Sequence, residues 1–237
     1  MTWYAKTSGA YAPDSAYAVA NATEAASILV NEFGWSQAAC CGLFGNIDYE
    51  GQWNPWRWQG DTVLSQSQAR NASGDYAIAH GYGLIGWTPA KKYQFNNAQS
   101  DGGVTYFPNY GQESYPGYAP NWSDLSGVAT DGAAQIRLIA TAMSNNSPNI
   151  WVRRSSEPYN YTCAEFIQMT DPALAAKTWL WRAERPASIF DDRRPRTEAN
   201  RTRAAVAWGD RLDWSFPTAS NKIIIYKKVS DHSRGFL

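Results

Sequence analysis

One glutamate in the sequence has the surroundings that a general acid requires. Apolar residues recur at helical spacing before it, at Cys40, Leu43, Phe44 and Ile47, and Glu50 continues that spacing. The pattern predicts that the Glu50 carboxyl lies at the last turn of a helix, on its apolar face. Burial there raises the pKa of a carboxyl towards neutrality, so that it can donate a proton near neutral pH. The alternative is a glutamate that turns outward at a frayed helix end.

Aromatic, amide and carboxyl residues follow Glu50 in a pattern typical of a glycosidase. In such an enzyme the acid protonates the glycosidic oxygen, a second group stabilises the reaction or assists water, and aromatic faces bind sugar rings. Asp61, eleven residues after Glu50, is the predicted second carboxylate, and Asp75 is the alternative to it. Thr88 is the third catalytic candidate, because a hydroxyl can position a water. The residues predicted to bind substrate are Trp53, Trp58, Gln59, His80, Tyr82 and Trp87.

A thiol enzyme is the second chemistry that the residues allow. Cys40 or Cys41 near a helix start, with His80 further along, would form the Cys–His pair of a papain-like amidase or peptidase. Against this, both cysteines belong to the apolar face or flank it, and with Cys163 we expect them to be small buried hydrophobic residues. Two histidines and no Cys-x-x-Cys pair leave a zinc site without its usual ligands. No cofactor or metal is expected.

The composition narrows the choice of partners. The chain has 237 residues and a formal net charge of zero, so bulk electrostatics favour neither nucleic acid nor an anionic membrane. Twelve Trp and fourteen Tyr against eight Phe suit sugar binding, although core packing explains any single Trp equally well. No apolar stretch reaches the length of a membrane span, and no basic region followed by an apolar run opens the chain. Neither membrane insertion nor a signal peptide is therefore expected.

Start and stop signals predict a mainly α (α+β) fold with a small antiparallel sheet. Helices are predicted from Asp14 to Gly34, from Ser36 to Glu50, and beginning at Pro89, Asp131, Thr162, Asp171 and Pro195. Turns and the small sheet are expected within residues 53–88, and a long loop over residues 96–130. The predicted organisation is an N-terminal extension (1–13), a catalytic domain (14–212) and a C-terminal extended tail (213–237).

Two local predictions concern the backbone after Glu50 and the arginines near the end of the chain. Gly51 is expected to leave the helix in the left-handed conformation, and Pro55 to prevent the helix from resuming. Between Arg182 and Arg203 there are seven Arg and four acidic residues. We interpret this segment as a solvated helix face with i,i+4 ion pairs.

Short motifs spread over most of the chain carry a family resemblance. They are Gly34-Trp35-Ser36, Gly45-Asn46-Ile47-Asp48-Tyr49-Glu50, Asn54-Pro55, Trp58-Gln59, Tyr82-Gly83-Leu84-Ile85-Gly86-Trp87-Thr88-Pro89-Ala90, Gln135 and Glu184-Arg185-Pro186-Ala187. Together they resemble the phage tail lysozyme family, and most closely the N-terminal lysozyme domain of tail knob proteins of short-tailed phages. The resemblance spans residues 14–212, with a poor match in the loop 96–130.

The resemblance implies a lysozyme-like helical domain that cleaves the glycan strands of peptidoglycan, with Glu50 as general acid. It implies a virion-associated muramidase, made in the host cytoplasm, that opens the host wall during genome entry. One residue departs from the family pattern, because Gly86 stands where family members carry Gln in Gly-Leu-x-Gln-Trp. This departure supports a rival prediction, a structural tail protein that keeps the fold and binds glycan but has lost turnover.

The C-terminal residues 218–237 contain a segment with strand propensity. Three isoleucines in succession are flanked by lysines that keep such a segment soluble, namely Lys222, Ile223, Ile224, Ile225, Lys227 and Lys228. One prediction is an edge strand that folds back on the domain's own sheet. The other is a docking strand that adds to another phage tail protein or to a second copy.

Overall fold

The computed structural model describes residues 3–6, 9–55, 57, 81, 83–86, 99–101, 104–106, 128–129, 131–144 and 150–216. The helices within them are α1 (Ala16–Phe33), α2 (Gln37–Ile47), α3 (Asp131–Ser144), α4 (Cys163–Ile167), α5 (Pro172–Trp179) and α6 (Arg194–Arg211). A π-helical turn, Leu180–Glu184, continues α5, and a 3-10 helix, Ala187–Phe190, precedes α6. The described part of the chain is therefore mainly helical, as predicted.

Side-chain caps start the helices close to where the sequence predicts them. Ser36 caps α2, and Thr162 and Glu165 form the predicted capping box at the start of α4. The cap of α1 is Ser15, one residue after the predicted Asp14. Gly34 ends α1 with φ 69°, which confirms the predicted stop. These signals involve neighbouring residues only, and the sequence therefore reveals them.

The other helices pack around α2. Every residue of α2 except Gln37 is buried. Two glycines allow this close packing, since a Cβ at Gly42 would lie 2.6 Å from the Cβ of Ala175 in α5. A Cβ at Gly45 would lie 2.6 Å from the backbone nitrogen of Ala205 in α6. The prediction of one apolar face for this helix is wrong, because α5 and α6 also cover the sides that carry glycine.

Four short strands occur in the described residues. They form two antiparallel pairs, β1 (Trp3–Tyr4) with β4 (Val128–Ala129) and β2 (Gln99–Asp101) with β3 (Val104–Tyr106). The last three strands lie within residues 96–130, where the sequence predicts a loop, because strands of two or three residues are too short to show alternation. Trp3 is buried and would contact any side chain at Gly132 of α3. The described residues of the N-terminal extension thus take part in the core.

Aromatic rings fill the core beside α2. The Phe44 ring lies 5.1 Å from that of Trp53 and 6.5 Å, nearly parallel, from that of Trp214. The rings of Trp53 and Trp208 lie 5.0 Å apart. Residues 213–216, which the sequence assigns to the tail, therefore pack against the core through Trp214.

Several predicted elements fall wholly or largely outside the described residues. These are the antiparallel sheet within residues 53–88, the helix that begins near Pro89, and the strand in residues 218–237. They stay predictions. None of the helices that the structure describes is long and apolar enough to cross a membrane.

Candidate active site

Glu50 lies in a turn directly after α2 and not in the last turn of the helix itself. The helix ends at Ile47, and the Glu50 N–H donates to the Ile47 carbonyl at 3.2 Å. The chain then reverses through Gln52 and Trp53, whose φ angles are 47° and 61°. The left-handed residues therefore come after Gly51, and the prediction that Gly51 itself adopts this conformation is wrong.

Gly51 is needed for close contact with another segment of the chain. A Cβ there would lie 2.5 Å from both the Gly83 carbonyl oxygen and the Leu84 Cα, and the Gly51 N–H donates to the Leu84 carbonyl at 3.0 Å. The Leu84 N–H in turn donates to Oε1 of the buried Gln135 at 2.9 Å. Residues 83–86 are thereby held directly against the turn that carries Glu50.

The Glu50 carboxyl is partly shielded from solvent and paired with an arginine. Its side chain is 28% exposed, and its Oε1 accepts a hydrogen bond from Arg201 Nη2 at 2.8 Å. Burial raises the pKa of Glu50, whereas Arg201, a hydrogen bond with Glu184 and the charge of Arg57 oppose that rise. A Cβ at Gly86 would lie 2.8 Å from the other oxygen, Oε2. One carboxyl oxygen therefore faces the guanidinium and the other faces the Gly86 backbone.

A second carboxyl, which the sequence analysis did not identify, lies next to Glu50. Glu184 Oε2 accepts a hydrogen bond at 3.0 Å from the same Arg201 nitrogen, and the Glu184 side chain is only 3% exposed. Burial raises the pKa of Glu184 to about 8; Arg201 opposes this rise and the charge of Glu50 adds to it. Both carboxyls accept from the same Arg201 nitrogen, and each shifts the pKa of the other.

Glu184 is brought to this position by the way α5 ends. Asp171 and Pro172 start α5, as predicted, and the π-helical turn after it has Glu184 as its last residue. Arg185 follows in a left-handed conformation with φ 52°, and Pro186 then prevents the helix from resuming. The only sign of this role in the sequence is that Glu184 belongs to one of the motifs that carry the family resemblance.

Arg201 is held in the cluster by contacts from α2 and the turn after it. Its Nε donates to Asn46 Oδ1 at 3.2 Å, and its guanidinium lies 4.3 Å from the centroid of the Tyr49 ring. The interpretation of the arginine-rich segment as a solvated face is wrong for Arg201, which is 6% exposed, and for Arg182, which is fully buried. Acidic partners that are distant in sequence compensate their charges. Arg194 does form the expected i,i+4 pair, with Glu198.

Comparison with known proteins places the chain in a family. The family model of phage tail lysozymes matches residues 20–212. The chain belongs to the phage tail lysozyme family. It is also 29% identical over 161 residues to morphogenesis protein 1 of Bacillus phage B103, a match that covers 65% of this chain and 31% of that protein. The chain thus matches less than a third of the length of this curated relative.

Gly86 is the residue that the family resemblance marks as a departure from the Gly-Leu-x-Gln-Trp pattern. Its φ is 57°, a conformation that side chains other than Asn and Asp rarely adopt. Any side chain built on this backbone would begin in contact with Glu50 Oε2. The departure therefore lies directly at the candidate acid.

Trp53 is a core residue of this chain, and its predicted role in substrate binding is wrong. The side chain is fully buried, and its ring packs against Phe44 and Trp208. Trp53 Nε1 donates to Asp48 Oδ1 at 2.7 Å, and Trp208 Nε1 donates to Asp48 Oδ2 at 2.9 Å. Burial raises the pKa of Asp48 to about 6, although both indole hydrogen bonds lower it. This carboxyl orders two core indoles.

The remaining predicted site residues lie outside the described residues. They are Trp58, Gln59, Asp61, Asp75, His80, Tyr82, Trp87 and Thr88. Described residues near them in sequence do contact the Glu50 turn. Arg57 Nη1 donates to the Glu50 carbonyl at 3.0 Å, and the Gly83 N–H donates to the Arg57 carbonyl at 2.9 Å.

The structure disfavours a cysteine nucleophile. Cys40, Cys41 and Cys163 are free and buried. Burial raises the pKa of Cys40 well above its usual range and that of Cys41 and Cys163 to about 12, which disfavours the thiolate that a nucleophile needs. His80, the predicted partner, lies outside the described residues. Among the described residues, no group of three or more His, Cys, Asp or Glu side chains could hold a metal ion.

Proposed function

We propose that this phage tail lysozyme is a virion-associated peptidoglycan hydrolase of the muramidase type, with Glu50 as its general acid. The observation that carries the proposal is the environment of the Glu50 carboxyl, which is shielded enough to raise its pKa and yet 28% exposed. A carboxyl whose pKa is raised by burial and that remains within reach of a substrate suits acid-catalysed cleavage of a glycosidic bond. Membership of the family supports peptidoglycan as the substrate class.

In the proposed reaction, Glu50 gives its proton to the glycosidic oxygen as the bond to the anomeric carbon breaks. The bonding electrons stay with the leaving oxygen, and the sugar develops the character of an oxocarbenium ion. Water supplies the new hydroxyl group, and its proton is returned to the enzyme or to solvent. We propose Asp61 as the group that stabilises the cation or activates the water, with Asp75 or Thr88 as alternatives. The sugar rings are proposed to bind to Trp58, Gln59, His80, Tyr82 and Trp87.

The proposal is tested by incubating the purified protein with peptidoglycan and identifying the released fragments by mass spectrometry. The wild type should release fragments with N-acetylmuramic acid at the reducing end. Glu50→Gln keeps the size of the side chain but removes the acid, so the rate should fall by about 10²–10⁴-fold. Glu32→Gln is the matched control, because Glu32 pairs with Arg137 on the surface and should keep the wild-type rate.

Two results would contradict this function. One is a folded Glu50→Gln variant, verified by circular dichroism, that cleaves glycan at the wild-type rate. The other is a set of fragments with intact glycan strands and cleaved peptide or amide bonds, which would favour the thiol reading despite the buried cysteines.

A second candidate function is glycan binding without turnover, as a structural protein of the tail. The observation that favours it is Gly86, which leaves the position beside Glu50 Oε2 without the glutamine of the family pattern. Co-sedimentation with peptidoglycan in the absence of any released fragment would support this function. Fragment release that depends on Glu50 would exclude it.

In the phage, we propose that the enzyme opens the host wall locally during genome entry and is anchored to other tail proteins by residues 218–237. The lysine-flanked isoleucines of that segment are the basis for the proposal. Deletion of residues 218–237 should leave a stable, active enzyme that is no longer incorporated into particles. A truncated protein that unfolds or loses glycan cleavage would show that the segment belongs to the core instead.

A further inference from the structure

The groups around Glu50 suggest how the acid keeps its proton. We infer that Glu184 is a positioning residue for Glu50, and that the two carboxyls and Arg201 form a cluster that retains one proton for the reaction. The inference rests on the proposed function, because it assigns Glu184 a part in the same acid-catalysed step. It adds a residue that the sequence motifs did not assign to catalysis.

The geometry of the cluster is the first support. A single nitrogen, Arg201 Nη2, donates to Glu50 Oε1 at 2.8 Å and to Glu184 Oε2 at 3.0 Å. The other Glu184 oxygen, Oε1, is buried, and no hydrogen bond to it from a described residue is present. A buried carboxyl oxygen without a hydrogen bond is costly, and a proton shared between the two carboxyls would supply that bond.

The charge count of the cluster is the second support. Burial penalises net charge, so the favoured state of a buried cluster is the one in which charges cancel. With Arg201 and Glu50 alone, that state is an ion pair in which Glu50 has already lost its proton and cannot act as an acid. With Glu184 added, the neutral state contains one guanidinium, one carboxylate and one carboxylic acid. The second carboxyl therefore makes a proton available at the pH where the cluster is neutral.

The charged groups around the cluster do not overturn this count. Arg57 Nη1 donates to the Glu50 carbonyl, and the charge of Arg57 favours the ionised form of Glu50. Asp48 interacts electrostatically with Arg201 but is engaged by two core indoles. Tyr49 contributes only its ring face to Arg201. Among the charged groups of the described residues, the main influences on the pKa of Glu50 and Glu184 are Arg201, Arg57 and the two carboxyls themselves.

The exposure of the two side chains divides their roles. Glu50 is 28% exposed and can meet the glycosidic oxygen, whereas Glu184 is 3% exposed and acts only through Glu50 and Arg201. The contact between the two carboxyls raises the pKa of Glu184 and lowers that of Glu50, so at rest the proton lies mainly on Glu184. The reactive form is the one in which this proton has moved to Glu50 and the negative charge lies on Glu184 beside Arg201. When Glu50 has given its proton away, both carboxyls are ionised until the proton from the attacking water restores the single-proton state. The cluster thus ends each turnover as it began.

The decisive measurement is a titration of the carboxyl carbons by NMR on the full chain labelled with ¹³C at glutamate Cδ, which needs no activity. In the wild type, Glu50 and Glu184 should titrate as a coupled pair, each resonance showing two steps. In Glu184→Gln the upper step should disappear, so that the last proton leaves the cluster at a pH lower by about one unit or more. In Glu50→Gln the Glu184 midpoint should also fall, since the interaction is reciprocal.

Activity provides the second readout. The alkaline limb of the kcat profile should move to lower pH in Glu184→Gln by the same amount as the NMR midpoint, with KM unchanged. Glu184→Asp restores the charge and should restore most of the profile. Glu32→Gln serves again as the control with no shift.

Two outcomes would overturn the inference. One is a single independent titration step for each carboxyl in the wild type, which can be read even if Glu184→Gln does not fold. The other is a Glu184→Gln variant in which the upper step persists, so that the last proton leaves the cluster at the wild-type pH. Failure of the proposed function is distinguishable, because it appears as absent glycan cleavage by the wild type and leaves the NMR titration unaffected.

Discussion

Two clusters of glutamate and arginine meet at the end of α5, and their charge ratios are opposite. In the first, Glu50 and Glu184 share Arg201. In the second, Arg182 and Arg185 share Glu157, with distances of 2.9 Å from Arg182 Nη2 and 2.7 Å from Arg185 Nη1 to the same carboxylate oxygen. The segment 182–185 thus supplies the carboxyl of Glu184 to the first cluster and the guanidinium groups of Arg182 and Arg185 to the second.

The difference in ratio decides whether a carboxyl holds a proton. Arg185 and Arg182 hold the pKa of Glu157 down at about 2, so this carboxyl is ionised at any ordinary pH. Where carboxyls outnumber arginines and are buried, the pKa of Glu184 rises to about 8. Two arginines around one carboxyl therefore make a permanent ion pair that stabilises the fold. Two buried carboxyls around one arginine make a cluster in which a carboxyl can bind and release a proton.

The largest expected effect is the loss of stability when Glu157 is removed from its cluster with Arg182 and Arg185. Glu157→Gln leaves Arg182, which is fully buried, without its counter-charge, and removal of one partner of a buried ion pair should cost about 3 kcal/mol of unfolding free energy. Urea denaturation at pH 7 measures this. A loss no greater than that of a surface variant would show that the two clusters do not differ as described.

A smaller and pH-dependent effect is expected for Glu184→Gln. At pH 5 the amide replaces a carboxyl that is already neutral, so the free energy of unfolding should change by about 1 kcal/mol or less. The folded pKa of Glu184 lies above its ordinary value of 4.5, so its contribution to stability is fully present below that value and is lost as pH rises through about 8. Wild type should therefore lose stability relative to the variant between pH 5 and pH 8.

Glu157 should show the opposite dependence on pH. Its folded pKa lies below the ordinary value, so its contribution is present above pH 4.5 and is lost as pH falls towards about 2. Unfolding curves of both Gln variants over the full pH range would test the pair together. If the stability difference from wild type changed with pH in the same direction for both variants, the contrast between the two clusters would be wrong.

The smallest effect is expected for the surface pair. Glu32 is 43% exposed in its contact with Arg137. Glu32→Gln should cost roughly 0.2–1 kcal/mol, and added salt should reduce the difference further, because solvent screens an exposed ion pair. A thermal denaturation series at low and high salt measures this. A loss as large as that of Glu157→Gln would mean that burial is not what separates the clusters.

The helices were predictable because their signals are local. Ser36, the Thr162 capping box and Gly34 act on residues within one turn, and the structure confirms each of them. The prediction of Glu50 as the acid depends on a similar local count, since its distance from the apolar residues of α2 can be counted along the chain. The family was recognised from short motifs, and the match over residues 20–212 confirms it.

The sequence by itself thus determined the helical class, the family and the candidate acid, whereas only the tertiary structure decided which groups surround that acid. Glu50, Glu184 and Arg201 meet because α5 and α6 pack on α2 at Gly42 and Gly45, over sequence separations at which no periodicity operates. Trp53 shows the same limit, because an indole looks alike in sequence whether it binds a sugar or fills a core. Burial sets the protonation of a carboxyl, and burial belongs to the packed helices and not to any one segment.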